Sequence, residues 1–206
     1  MKIASVWAIA GLLAAVTLPG LAIEPKPSCD SLDGWAAQLP QLPADYESFS
    51  ALPVANRKAV YRKLSDSQRA TLWQRQWREV LKAGSWSEDQ KALITEAGRL
   101  TIPETFASLR KGEGASFDAA SAAIRDFGDR AVAAFSKTEA IRLFSLLGPP
   151  PAGTISGAAV MTCWCNLAAQ DCWDPSWTCK WFGYPCMPTV EGCGSFWTES
   201  CDGRCY

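Results

Sequence analysis

Between residues 45 and 147 apolar positions recur at helical spacing, and short polar signals divide them into segments. Leu72, Trp73, Gln76, Trp77, Val80 and Leu81 share one face of a helix, interrupted only by Gln76, with Gly84 placed to end it. Leu93, Ile94, Ala97 and Leu100 make a second face, and Phe117, Ala120, Ile124, Phe127, Ala131 and Phe135 run through a longer one. Ile141, Phe144 and Leu147 close the series before Gly148. Four hydroxyl-to-Glu/Gln pairs mark helix starts: Ser65 with Gln68, Ser87 with Gln90, Thr101 with Glu104, and Ser136 with Glu139. In each, the hydroxyl accepts from an orphan amide of the first turn while the longer side chain reaches back. The pattern predicts five or six short helices packed as a bundle, preceded by an extended segment over 23–44.

The periodicity stops at Gly148-Pro-Pro-Pro-Ala-Gly-Thr-Ile-Ser-Gly157, where consecutive prolines and flanking glycines forbid a helix. A linker is expected over 148–162. Beyond it the cysteines at 165, 172, 179, 186 and 193 fall seven residues apart. On a helix that beat would make a stripe, but Pro175, Gly183, Pro185, Pro188, Gly192 and Gly194 lie between the beats. Aromatic and β-branched residues separated by turn signals such as Asp174-Pro175 and Asp202-Gly203 suit short strands instead. The predicted fold is an all-α N-terminal helical bundle over 45–147 and a small disulfide-rich module of turns and short strands over 163–206.

Composition sets the chemistry. The chain has 206 residues, with 20 basic and 21 acidic side chains. That balance gives no electrostatic case for nucleic acid as a partner. Histidine is absent, which excludes Ser/His/Asp and Cys/His nucleophilic sites and histidine-bearing zinc sites. Glu104 and Asp118 have no carboxylate partner at a catalytic spacing, so neither an enzyme nor a cofactor is expected. Basic residues early in the bundle, namely Arg57, Lys58, Arg62, Lys63, Arg69, Arg75 and Arg78, read as a solvated face diluted by Asp66, Glu79, Glu88 and Asp89. Trp73 and Trp77 read as core ridges.

Nine cysteines are present, and eight of them crowd into the last segment: Cys163, Cys165, Cys172, Cys179, Cys186, Cys193, Cys201 and Cys205. Residues 1–22 explain how they would be used. Lys2, an apolar run from Ile3 to Leu18, a Pro19-Gly20 break and Ala22 have the grammar of a secretory signal peptide. Export would place the cysteines where disulfides persist. Eight can close as four bridges, and sequence does not choose the pairing. Cys163 and Cys165 are too close to bridge each other comfortably and should take different partners. Cys-x-x-Cys knuckles are missing, so zinc is not expected. Cys29 stands alone as a free, intermolecular or transient thiol.

Half of the ten tryptophans lie in the same module: Trp164, Trp173, Trp177, Trp181 and Trp197. A framework that small cannot bury them all, so they are the candidate contacts with a target, either a receptor or a membrane interface. Asp171, Asp174, Glu191, Glu199 and Asp202 outnumber Lys180 and Arg204 there, which disfavours cationic lysis of anionic membranes.

Cys163-x-Cys165 followed by evenly spaced cysteines, Gly192-Cys193-Gly194 with Trp197, and the ending Cys201-Asp-Gly-Arg-Cys205-Tyr206 resemble fulvocin C, a disulfide-rich bacteriocin of myxobacteria. Leu52-Pro53, Arg57 to Ser65 and Ala70 to Trp73 are similar to the helical half of the bacteriocin fulvocin C-related family. The resemblance implies a secreted precursor or toxin-like protein with an antimicrobial C-terminus acting on a bacterial envelope or cell surface. Two functional expectations follow. In one, the helical domain is a pro-region and cleavage within 148–162 frees the disulfide-bonded peptide. In the other, the uncleaved protein is an extracellular binding or adhesion module.

Overall fold

The computed structural model describes residues 29–150, 165–166, 178–180 and 189–205. Among these are eight helices: α1 (Cys29–Ala37), α2 (Tyr46–Ser50), α3 (Val54–Lys63), α4 (Asp66–Ala83), α5 (Glu88–Leu100), α6 (Pro103–Arg110), α7 (Ala115–Phe135) and α8 (Lys137–Phe144). The expected signal peptide over 1–22, residues 151–162 of the expected linker, Cys163, Cys172, Cys186, Trp164, Trp173, Trp177 and Trp181 lie outside the described residues.

Local chemistry accounts for most helix starts. Ser65 and Ser87 each accept from the amide three residues on, and Gln68 and Gln90 each return a side-chain oxygen to the cap amide, completing two capping boxes. Ser136 caps α8 by accepting from the Glu139 amide, but the Glu139 carboxylate turns to Arg142. Thr101 does not cap α6. Pro103 opens that helix behind Ile102. The buried Thr101 hydroxyl instead donates to the Ala97 carbonyl and accepts from the Trp77 indole at 2.9 Å. Gly84 does follow α4, though in an extended conformation. The Trp86 indole stands where a Cβ would be and donates to the Val80 carbonyl at 2.8 Å, closing the helix end.

The apolar stripes face one core. Leu72, Trp73 and Trp77 are buried with Leu93, Ile94, Ala97, Ile124, Phe127, Ala131, Phe135, Ile141, Phe144 and Leu147. Trp73 and Trp77 stack with ring centroids 5.1 Å apart. Leu81 departs from the expected stripe and is 39 % exposed. The segment expected to be extended over 23–44 instead contains α1. Leu32 and Ala36, one turn apart, are buried in the core, α1 packs on α3, and Asp33 pairs with Arg62 at 2.6 Å.

Among the described residues of the C-terminal module are four short strands: β1 (Cys179–Lys180), β2 (Thr189–Cys193), β3 (Glu199–Cys201) and β4 (Arg204–Cys205). They pair antiparallel as β1 with β4 and β2 with β3, the second pair irregular in register. Among the described residues, disulfides join Cys165 to Cys179 in β1 and Cys193 in β2 to Cys201 in β3. Cys29 opens α1 and Cys205 lies in β4. The all-α bundle and the turn-and-strand module are thus both present. Their relationship differs from two beads on a linker, because one hydrophobic core includes residues from each.

The start of the expected linker is hydrogen-bonded to residues of α3 and α4. Gln76, the one polar residue in the α4 stripe, donates to the carbonyls of Leu143 and Leu146 at 2.9 and 2.7 Å and accepts from the Gly148 amide at 2.6 Å. Arg57 donates to the carbonyls of Leu147 and, at 2.7 Å, Pro149. Backbone groups left over at the end of α8 therefore find partners in α3 and α4.

Candidate functional site

Between β2 and β3 the chain turns through Gly194 and a single turn of 3-10 helix, Ser195–Trp197. Gly192 and Gly194 both have positive φ, 118° and 68°, and a Cβ on Gly194 would run into the Glu199 side chain. That is the physical reason for glycine on each side of Cys193. Phe196 and Trp197 also have positive φ, 57° each, a conformation that bulky L-residues adopt only when their surroundings impose it.

Those surroundings are the helical bundle. Phe196 is fully buried among Trp73, Trp77, Phe127 and Phe144, at ring-centroid distances of 5.7, 5.8, 5.1 and 6.3 Å. Trp197, 1 % exposed, meets Tyr61 edge-on at 5.2 Å and lies 6.3 Å from both Phe49 and Trp73. Polar groups are satisfied around the pair. The Trp197 indole donates to the Ser145 carbonyl at 2.8 Å, and the Tyr61 hydroxyl donates to the Phe196 carbonyl at 3.2 Å. The Trp73 indole donates in turn to the Tyr61 hydroxyl at 3.1 Å. Burial of two large aromatics with their hydrogen bonds made is worth several kcal/mol by area alone, enough to offset about 1–3 kcal/mol of backbone strain per residue.

In the intact chain Trp197 is therefore buried in the helical core rather than presented to an external target. For Phe196 and Trp197 the helical domain supplies the core that the tail lacks. Phe196, which sequence reasoning did not single out, is the more deeply enclosed of the two.

Three of the cations expected on a solvated face are also buried. Arg69 donates to the carbonyls of Tyr61 and Arg62 and lies over the Tyr61 ring, 4.9 Å from its centroid. Arg57 is 2 % exposed, and burial pushes its guanidinium down to about 10, still cationic at neutral pH. Lys58 places Nζ 3.4 Å from Cys193 Sγ and 5.6 Å from the Trp197 ring centroid. Arginine and lysine are buried here because their donors meet carbonyls, sulfur and ring faces. Of the other expected cations, Lys63 and Arg78 are exposed and Arg62 and Arg75 are half-buried.

Cys165, Cys179, Cys193 and Cys201 are buried members of the disulfide framework. Gly203, in the Cys201-to-Cys205 motif, allows the first bridge to close against the chain. A Cβ there would lie 2.5 Å from Cys179 Sγ and 3.2 Å from Cys165 Sγ. The Cys165 carbonyl accepts from the amides of Asp202 and Gly203 at 3.1 and 3.0 Å, and Asn166 donates to the Ser200 carbonyl at 3.0 Å.

Among the described residues no group of Cys, Asp and Glu is arranged to hold a metal ion, and no helix is long and apolar enough to cross a membrane. The geometry is that of a docked aromatic loop at the junction of two modules. An open cleft of about 1070 Å³ runs beside the junction, between α6, α7, α8 and the β2–β3 loop. The chain matches no family model, no curated protein and no solved structure.

Proposed function

We propose that this is a secreted bacteriocin-like protein or precursor, in which the helical domain holds the disulfide-bonded tail in a latent state. The observation that carries this reading is the burial of Phe196 and Trp197 in the helical core. A tail freed of the bundle would present both aromatics on a short cross-linked loop. Phenylalanine and tryptophan so displayed suit a bilayer interface or a protein pocket. Cys165–Cys179 and Cys193–Cys201 are compatible with an oxidising compartment. The resemblance of the cysteine pattern to fulvocin C supplies the antibacterial direction.

Cleavage within 151–162 would cut the chain without separating its parts, because the aromatic loop remains clamped by α3, α4, α7 and α8. Native purification after limited proteolysis should recover both fragments together. Denaturation without reductant should separate them. The oxidised tail isolated in this way is expected to inhibit growth of related bacteria, and addition of the helical fragment to suppress that inhibition. Inactivity of the oxidised tail across a broad panel would sink the antibacterial reading.

The same shared core favours a second reading, in which the intact chain is the working form and acts as an extracellular binding module. Mass spectrometry of the secreted material separates the two: uncleaved protein alone, with a surface partner recovered by cross-linking, supports the binding module.

A further inference from the structure

The two sulfurs of Cys193–Cys201 have unequal surroundings. Both are buried, yet only Cys193 Sγ has a lysine ammonium against it, Lys58 Nζ at 3.4 Å. Arg62, one turn further along α3, also borders the hairpin, with Nη1 3.5 Å from where a Gly192 Cβ would stand. Its charge is shared with Asp33. A cation beside a cysteine sulfur favours the thiolate, and a disulfide whose reduced form is stabilised is the more readily reduced. The loop this bond closes carries Phe196 and Trp197, both docked in the helical core.

We propose that Cys193–Cys201 is a redox-active disulfide, exchanging with small thiols and protein dithiols, in which Lys58 stabilises Cys193 as the departing thiolate. The proposal is independent of the antibacterial reading. In the reaction, an external thiolate attacks Cys201 Sγ when the hairpin opens. The Cys193–Cys201 bond breaks, and Cys193 leaves with the electron pair to reside beside the Lys58 ammonium. A second external thiolate attacks the external sulfur of the mixed disulfide, releasing Cys201 as a thiolate that takes a proton from water. Two external thiolates are oxidised to one disulfide, and the protein gains a Cys193 thiolate and a Cys201 thiol.

The test equilibrates the full chain with reduced and oxidised glutathione at fixed pH. Acid quenching, alkylation and peptide mapping then report the state of this one bridge. Lys58→Met should require roughly tenfold more reducing conditions than the parent to reach half reduction, the size of effect that one nearby charge has on thiolate formation. Lys58→Arg should restore the parent value. Glutathione trapped on the parent protein should sit on Cys201, and in Lys58→Met it should spread over both cysteines. A bridge equally or more easily reduced in Lys58→Met, or glutathione trapped mainly on Cys193 of the parent, would overturn the proposal. If Lys58→Met does not fold, the position of glutathione on the parent protein decides.

Discussion

Replacing Trp197 by alanine probes whether the tail and the bundle are one folding unit. The side chain is enclosed by Phe49, Tyr61 and Trp73 and donates to the Ser145 carbonyl. Truncating a buried tryptophan costs about 3–5 kcal/mol through lost transfer energy and the residual cavity. The stranded carbonyl adds about 1 kcal/mol, the lower end of the range because water can enter the cavity. An overall loss of about 5 kcal/mol is a large share of the roughly 5–15 kcal/mol that holds a domain together. Equilibrium urea unfolding should be followed by the helical far-ultraviolet circular dichroism signal, with the disulfides kept intact. At about 2.5 kcal/mol per molar for a chain of this size, the midpoint should fall by about 2 M. Trp197→Phe keeps most of the ring and should fall by less than half of that. The choice of signal matters: the helices report on a mutation made in the tail only if the core is shared. A helical transition shifted by less than about 0.5 M would refute the docked arrangement.

Gln76→Leu should destabilise the protein by about 3 kcal/mol in the same urea assay, since it strands the carbonyls of Leu143 and Leu146 and the amide of Gly148, and it should speed proteolysis near Pro149. Ser65→Ala and Ser87→Ala should each cost about 1 kcal/mol, and the double variant should show the sum, because the two capping boxes lie on different helices. Hydrogen bonds from Arg130 and Arg142 hold the carboxyls of Glu96 and Glu139 below the ordinary glutamate range. Their folded values lie below the unfolded ones, so their contribution is present above the unfolded value and lost as pH falls through the folded values. Acid titration of stability should therefore be shallower in Glu96→Gln/Glu139→Gln, with the difference between the proteins shrinking at high salt.

Much of the bundle was legible because each element carried its own instructions. Ser65 with Gln68 and Ser87 with Gln90 are local devices, and the stripes from Leu72 to Leu147 follow from helical geometry alone. Thr101 misled because its hydroxyl has a better use inside, between Trp77 and Ala97. The helix over Cys29–Ala37 was hidden by weak periodicity, and its stability comes from contact with α3, which is tertiary information. The buried cations were illegible for the same reason. A pattern that scores Arg57, Lys58 and Arg69 as polar says nothing of the carbonyls and sulfur waiting for their donors. At the junction, the sequence marked the loop with two glycines and two adjacent aromatics. Reading it as outward-facing treated the tail as responsible for its own hydrophobic residues. The partner ring of Tyr61 is 135 positions away from Phe196, beyond any local signal.

That separation has a consequence for how the chain is made. All eight helices among the described residues precede Phe196 and Trp197 in the order of synthesis. A growing or truncated chain that ends after α8 still lacks the two rings at the centre of its core, and Trp73, Trp77, Phe127 and Phe144 lose their contacts with Phe196. Pairing across so long a span is slow to form. Phe196 and Trp197, arriving after the helices they join, act as a keystone for the shared core. Quality-control proteases that meet a chain stopped after α8 would find it open, and one that continues through Trp197 closed.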